Sequence, residues 1–474
     1  MSLEDINKFE FDEILSLKTK LSFSIFQLGF TIFRQMFLIT LLIFYREELL
    51  LTEIYIIIAF ALYAIWNALN DPLFGWLSDR TSTKWGRRRP YLWVFTPLLS
   101  ISFVFLWLSP TTKEIGQVGV FLWMLFAMLA FDTALTATSI VWSAMLPELS
   151  MNNTERSKLS IYSTIFAMLG AIPVMFLPDI FLNAGREGVL LIAIILALIQ
   201  LGTMGITSLF VKEKLVFSRD ESLGLIDSFK NTIKRKSFLT TTFMGFLATF
   251  NNAVFYGVLF FYLYYVHPEL DTGFLLLFAM FLVIIGLLIG ILYSLRVLVK
   301  SGVKKAIINS LVFYSIGFFM IGLLPGMLGI IGFFFVGLGI FGSQSLQGPA
   351  LANVVDEDEI QTGARREAAI FGVHALINKP AESLAGAFIA FMLLVFSYQE
   401  PINGVQQAQS NFTILGFLLT LGIVPGIVAI LAISIFRKYP LYGPYLEDIR
   451  TKMNKLHKEK IENFLSKSYT LKKT

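Results

Sequence analysis

Asn67, Asn70 and Asp71 stand at i, i+3 and i+4 in the apolar segment WNALNDPLFGWLSDRTSTKWGRRRP, residues 66–90. On a helix they share one face. Two amides and a carboxylate so placed offer oxygen ligands to a small cation. A carboxylate at membrane depth costs about 2.5–3.5 kcal/mol on insertion scales, and it marks ion or substrate pathways. Sodium takes several oxygen ligands and is helped by a second carboxylate, whereas a lone buried carboxylate can bind and release a proton. Because Asn67 is neutral, H+ is the expected coupling ion and Na+ the alternative. Plainer uses of Asp71 are an ion pair with Lys379 or backbone donors near Pro72.

The other polar residues within apolar segments extend the set. Lys379 lies between Asn378 and Pro380, with Glu382 at i+3. It either pairs with Glu382 or competes with the cation for Asp71, reporting occupancy. Arg34 and Asp132 either pair with each other or hold an anionic group on a solute. Gln27, Gln35, Gln344, Gln347, Asn251, Asn252 and His374 suit sugar hydroxyls, which need paired donors and acceptors. Their alternative is interhelical bonding, worth about 0.6 kcal/mol each. Trp142 can stack on a sugar face or simply pack. Arg87, Arg88 and Arg89 are expected to meet Asp356, Glu357, Asp358 and Glu359 as a gate, or else to be solvated loop charges.

The elements that carry these residues are membrane helices. Hydrophobic residues make up 56% of the 474, charged residues 15%, and there are 47 phenylalanines. Mean hydropathy is +0.71. An apolar excess of that size must face lipid. Twelve spans are expected near 21–45, 53–78, 91–109, 116–146, 158–182, 187–211, 239–266, 272–298, 303–323, 326–351, 368–398 and 409–436. The runs lack a barrel's alternation, so the expected fold is all-α. The polar stretch 212–238 divides them into bundles 21–211 and 239–436, flanked by an N-terminal segment 1–20 and a tail 437–474. Lys and Arg concentrate after spans two and eight and in 212–238, which places both termini in the cytoplasm of a multi-pass cell-membrane protein. The basic tail reads as solvated, with anionic lipid as the other contact. The polar N-terminus has no cleavable signal pattern. The lack of cysteine excludes disulfides and thiolate sites, and three scattered histidines do not read as a metal cluster. The net charge of +5 is loop bias, so no nucleic-acid partner is expected.

The chain resembles the glycoside–pentoside–hexuronide:cation symporters of the major facilitator superfamily, typified by melibiose permease. Four stretches carry the resemblance: TKLSF (19–23), the 66–90 segment, VWSAMLPELS (141–150) and NVVDEDEIQTGARREAAIFGVHALINKPAES (353–383). It implies two six-helix halves with the solute near the midplane. It also implies that Asp71 is the cation-binding carboxylate, Asn70 its neighbouring ligand and Lys379 the helix-eleven lysine. Trp142, Gln344 and His374 fall on pocket-lining positions. Asn67 stands where sodium-using members often carry a second carboxylate. Thr31, Thr138 and Thr164 stand where melibiose permease grips its galactoside with two aspartates and an arginine, so a different solute is expected.

The expected protein is therefore a cation-coupled carrier of a sugar or glycoside, a monomer in the bilayer with no cofactor. A lysolipid-type lipid carrier is the alternative, since such carriers are similar around the same helix-two and helix-eleven positions. An enzyme is not expected, because no nucleophile–base or metal-ligand constellation appears.

Overall fold

The computed structural model describes residues 14–150, 152–174, 177, 184–211, 230–267, 271–363, 365–399 and 407–471. Residues 212–229 of the expected central loop lie outside that set. Among the described residues there are helices and no strands. Helices satisfy their own backbone groups, which hydrocarbon demands.

Ten of those helices are long and apolar enough to cross a membrane. The first seven are α1 (Leu17–Arg46), α2 (Glu53–Arg80), α3 (Arg89–Trp107), α4 (Thr112–Leu149), α5 (Asn153–Val174), α6 (Gly185–Phe210) and α7 (Lys236–Val266). Thr272–Leu323 is one long stretch broken at Gly302, whose φ of 80° belongs to the left-handed region. Glycine enters that region without steric cost, so the chain turns there and supplies two spans, α8 (272–301) and α9 (303–323). Next comes α10 (Gly326–Thr362). The eleventh span is two pieces, Glu367–Asn378 and Pro380–Val395, together α11. The break falls at Lys379, where Pro380 has no N–H with which to continue the ladder. Then follow α12 (Asn411–Phe436) and the tail helix α13 (Gly443–Leu471). Eleven of the twelve expected spans fall in these membrane-length helices, two of them within one long stretch, and the remaining one, 368–398, is split into two shorter helices.

The chain forms two compact units. Unit 1 comprises Met1–Thr232, Val355–Leu376 and Asp448–Thr474; unit 2 comprises Ile233–Val354 and Ile377–Glu447. The end of α10, the start of α11 and most of α13 therefore fold with the N-terminal helices. Aromatic layers fill unit 1: Phe33 stacks on Phe103 at 3.9 Å and Phe37 on Phe131 at 4.9 Å. Tyr45 buries its ring there and donates to the Leu106 carbonyl at 2.8 Å. Unit 2 packs Phe255, Phe318, Tyr262 and Phe333 together, and Tyr262 donates to the Ile321 carbonyl at 3.1 Å. Ile57, Leu69, Phe126, Leu277 and Leu394 are among the many large apolar side chains left exposed, as a lipid-facing surface requires.

Candidate functional site

Asp71 lies within α2 at 1% exposure, and Asn70 beside it at 0%. Pro72 follows at once and has no N–H for the carbonyl one turn earlier, which leaves that backbone oxygen without its helical donor. Helix α4 answers with Asp132, 2% exposed. Asn70 Nδ2 donates to Asp132 Oδ2 at 2.5 Å, and the Tyr63 hydroxyl donates to Oδ1 at 3.2 Å. Trp66 Nε1 donates to Thr133 Oγ1 at 2.9 Å, so successive turns of α2 are fixed against a single turn of α4. Asn70 Oδ1 is buried with no hydrogen-bond partner among the described residues. Arg34 of α1, Asp71 and Asp132 are all within electrostatic reach of the Tyr63 hydroxyl. Two carboxylates and an amide are thus buried on α2 and α4, while Arg34 of α1 is exposed.

Helix α11 backs this group closely. A Cβ on Gly372 would sit 2.7 Å from the Asp71 carbonyl oxygen and 3.1 Å from Pro72 Cα. A Cβ on Gly75 would collide with the Ala368 carbonyl. Glycine on both helices lets the two backbones touch.

At the basic-loop end of unit 1 the charges are buried and interlocked. Arg87 donates to Glu148 Oε1 at 2.9 Å, to Glu367 Oε2 at 2.5 Å and to the Arg365 carbonyl at 3.0 Å. Arg88 donates to Ser78 Oγ at 2.8 Å, Asp79 Oδ1 at 2.5 Å, Glu148 Oε1 at 3.1 Å and Glu367 Oε2 at 3.1 Å. Asp79 also accepts from the backbone N–H groups of Ala368 and Ala369, at 3.2 and 2.7 Å. It thereby caps the N-terminus of α11, where the first N–H groups have no intrahelical partner and the helix dipole favours an anion. Arg156 grips Asp356 at 2.7 and 3.1 Å, and Arg366 grips Asp358 at 2.6 and 2.7 Å. Glu359 holds Arg365 at 2.8 Å, His457 at 3.1 Å and Lys460 at 2.8 Å, and Arg365 also binds Glu367. Burial works against the charges of Arg87 and Arg365. Glu367 and Glu148 around the first, and Glu359 and Glu367 around the second, outweigh it and hold both above the ordinary arginine value.

A family model described as MFS/sugar transport protein matches residues 22–443. The chain belongs to that family. Transmembrane protein 180 of Gallus gallus is 23% identical over 446 residues, covering 82% of this chain and 86% of its own. A putative sulfoquinovose importer of Salmonella typhimurium is 25% identical over 441 residues, covering 90% of each. Among solved structures, the E. coli fucose:proton symporter FucP superposes with a TM-score of 0.64 at 11% identity, over 89% of this chain and 98% of that one. That likeness shows the major-facilitator fold.

Several of the expected site residues have other contact partners in the structure. Arg87 and Arg88 hold Glu148, Glu367 and Asp79, while Arg156, Arg365, Arg366 and the tail bind Asp356, Asp358 and Glu359. Arg89 serves α6 instead: it donates to the Ser208 and Leu209 carbonyls, both at 3.2 Å, and lies 5.0 Å from the Trp93 ring. Trp142 has its indole N–H bonded to the Phe23 carbonyl at 2.8 Å and its ring stacked with Phe23 and Phe26 at 4.7 and 4.9 Å. That is the packing of a half-buried aromatic against the core of unit 1. Thr138 and Thr164 turn their hydroxyls onto carbonyls of their own helices. Thr31 is half-buried on α1, and Asn67 half-buried one turn before Asp71. His374 lies on α11 two residues beyond Gly372, in unit 1. Lys379 and Gln344 belong to unit 2, and there Gln344 Nε2 donates to the Ala248 carbonyl at 2.9 Å.

Sequence reasoning passed over Tyr63, Asp79, Glu148, Arg156, Arg365, Arg366, Glu367 and His457. Asp79, Glu148 and the 365–367 run sit inside stretches already singled out, so charge beside an apolar span was the available signal. His457 gave none.

Proposed function

We propose that this protein is a cation-coupled symporter of a sugar or glycoside in which Asp71 carries the coupling ion. The carrying observation is the buried group of Asp71, Asn70 and Asp132 joining α2 to α4. Asp132 receives donors from Asn70 and Tyr63 and serves as a fixed charge on α4, with Asp71 as the exchanging group on α2. The expected ion is a proton. Sodium is the second reading, favoured by one specific observation: Asp132 supplies a second carboxylate that Asn67 does not, and Asn70 Oδ1 adds a further oxygen.

The solute class rests on the relatives and on Arg34. A relative described as a sulfoquinovose importer handles an anionic sugar, and a guanidinium on α1 near the ion group is the residue to meet such a charge. We assign the basic-loop end to the cytoplasm by the excess of Lys and Arg. There Arg87, Arg88, Asp79, Glu148 and Glu367 form the inner gate, which breaks when the carrier opens inward during alternating access. The transport cycle involves no covalent chemistry.

The test is solute uptake into proteoliposomes under an inward proton gradient, an inward sodium gradient or neither, with Asp71→Asn in parallel. Proton-driven uptake lost in the variant supports the proposal. Sodium-driven uptake selects the second reading. Failure of a folded protein to move any sugar turns the assignment to a lipid solute.

A further inference from the structure

The sequence leads one to expect a solvated tail, yet residues 448–460 of α13 belong to unit 1 and dock there along one face. Ile449, Met453 and His457, spaced i, i+4 and i+8, are all buried, while Lys452, Lys455 and Lys458 on the opposite face are exposed. Such spacing makes a single helical stripe. The stripe ends on Glu359, the last carboxylate of the acidic run on α10. His457 Nε2 lies 3.1 Å from both Glu359 oxygens, and Lys460 Nζ donates to Glu359 Oε1 at 2.8 Å and to the Gly363 carbonyl at 3.1 Å. Glu359 in turn holds Arg365, which donates to the Pro147 carbonyl of α4 at 2.9 Å and pairs with Glu367, the shared partner of Arg87 and Arg88.

We propose that the C-terminal helix is a latch on the inner gate, closed by His457 and Lys460 on Glu359. With the latch seated, Glu359 is fixed and Arg365 stays across the end of α4. With the latch lifted, Glu359 loses two of its partners and the gate cluster opens more readily. The inference goes beyond symport, because it makes a segment remote from the ion group a control on the rate of inward opening. Anything that competes for the stripe or for Glu359 then raises that rate.

The chain has no cysteine, so a single reporter gives no background. Ala369→Cys places one beneath the cluster, at a residue that is 5% exposed and whose N–H is held by Asp79. Full-length protein in proteoliposomes is labelled with a membrane-permeant maleimide, with and without His457→Ala/Lys460→Ala. A Lys452→Ala/Lys455→Ala control alters only the exposed face. Loss of one buried and one part-buried contact to the Glu359 carboxylate is expected to raise the labelling rate about tenfold or more, with the control unchanged. Hydrogen exchange on the same double variant is expected to show faster exchange in both 448–460 and 355–363. Unchanged labelling with a visibly undocked tail overturns the latch, and so does a tail that stays docked without His457 and Lys460. Gate labelling needs no solute, so failure of the latch is distinguishable from failure of the symport assignment.

Discussion

Removing Arg88 should convert a closed gate into an open one. The side chain is fully buried and donates to Ser78, Asp79, Glu148 and Glu367 at 2.5–3.1 Å. Arg88→Ala leaves three buried carboxylates sharing the charges that remain, and breaking a buried ionic network by deleting one partner costs about 3–5 kcal/mol. In an open gate those carboxylates meet water, so the penalty falls on the closed state. At about 1.4 kcal/mol per decade the closed-to-open ratio drops by about two to three and a half decades. Arg88→Lys keeps the charge, but an ammonium is a point donor and cannot span four acceptors as the guanidinium fork does, so its effect should be intermediate. The Ala369→Cys reporter reads this directly: labelling should be slowest with Arg88, faster with lysine and fastest with alanine. If folded Arg88→Ala protein labels within about twofold of the parent, the cluster is static scaffolding and the gate reasoning fails.

Four further outcomes follow from the same contacts. Asn70→Ala removes the 2.5 Å donor to Asp132, a charge-assisted bond worth about 1.5–3 kcal/mol. The half-saturating concentration of the coupling ion should therefore shift by about ten- to a hundredfold in gradient-driven uptake; an unchanged ion dependence would count against the α2–α4 site. Gly372→Ala puts a methyl against the backbone of Asp71 and Pro72, which cannot rotate away, and should lower thermal stability by about 1–3 kcal/mol while slowing uptake. Trp142→Phe loses the bond to Phe23 but keeps the stack, so thermal stability should fall by about 0.5–1.5 kcal/mol with solute half-saturation unchanged; weakened solute binding at full stability would restore its role as a sugar platform. Burial draws His457 below the ordinary imidazole value, aided by Arg365 and opposed by Glu359 and Asp356, with Lys460 also facing Glu359. A depressed pKa means that the released tail takes up the proton first. Docking should thus be strongest above about pH 6.5 and weaken as pH falls below it, measurable as hydrogen exchange across 448–460.

The spans were legible because hydropathy is local: each helix needs only its own residues to cross hydrocarbon. Gly302 falls in the gap between the eighth and ninth expected spans, whereas the break at Pro380 lies inside the expected span 368–398 and was not read there. Neither tells which neighbour a helix will choose. The ionic partners were not legible for that reason. The triplet Arg87–Arg89 and the run Asp356–Glu359 invite direct pairing, yet Arg89 is drawn to carbonyls at the end of α6, and Asp356 takes Arg156 from the start of α5. Which cation reaches which carboxylate depends on packing across helices that no spacing rule connects.

The same limit applied to Asp132. The sequence suggested Arg34 as its partner, but not that Asn70 and Tyr63 of α2 would donate to it. Once that pairing is known, the argument about the coupling ion changes footing. On the proposed α2–α4 site the charge missing at Asn67 is supplied by Asp132, so the neutrality of position 67 alone does not discriminate a proton from sodium. What discriminates them is whether Asp132 gives up Asn70 when the ion arrives. A proton on Asp71 needs no ligand from Asp132, and the 2.5 Å bond can persist through the cycle. Sodium held by both carboxylates draws on Asp132 Oδ2, so Asn70 Nδ2 must release that oxygen. Infrared difference spectra of the carboxylate stretch, with Asp132→Asn as the control, separate the two. Removal of a protonated-carboxyl band by Asp71→Asn alone supports the proton. A sodium-dependent shift of ionised bands lost in either variant supports the metal.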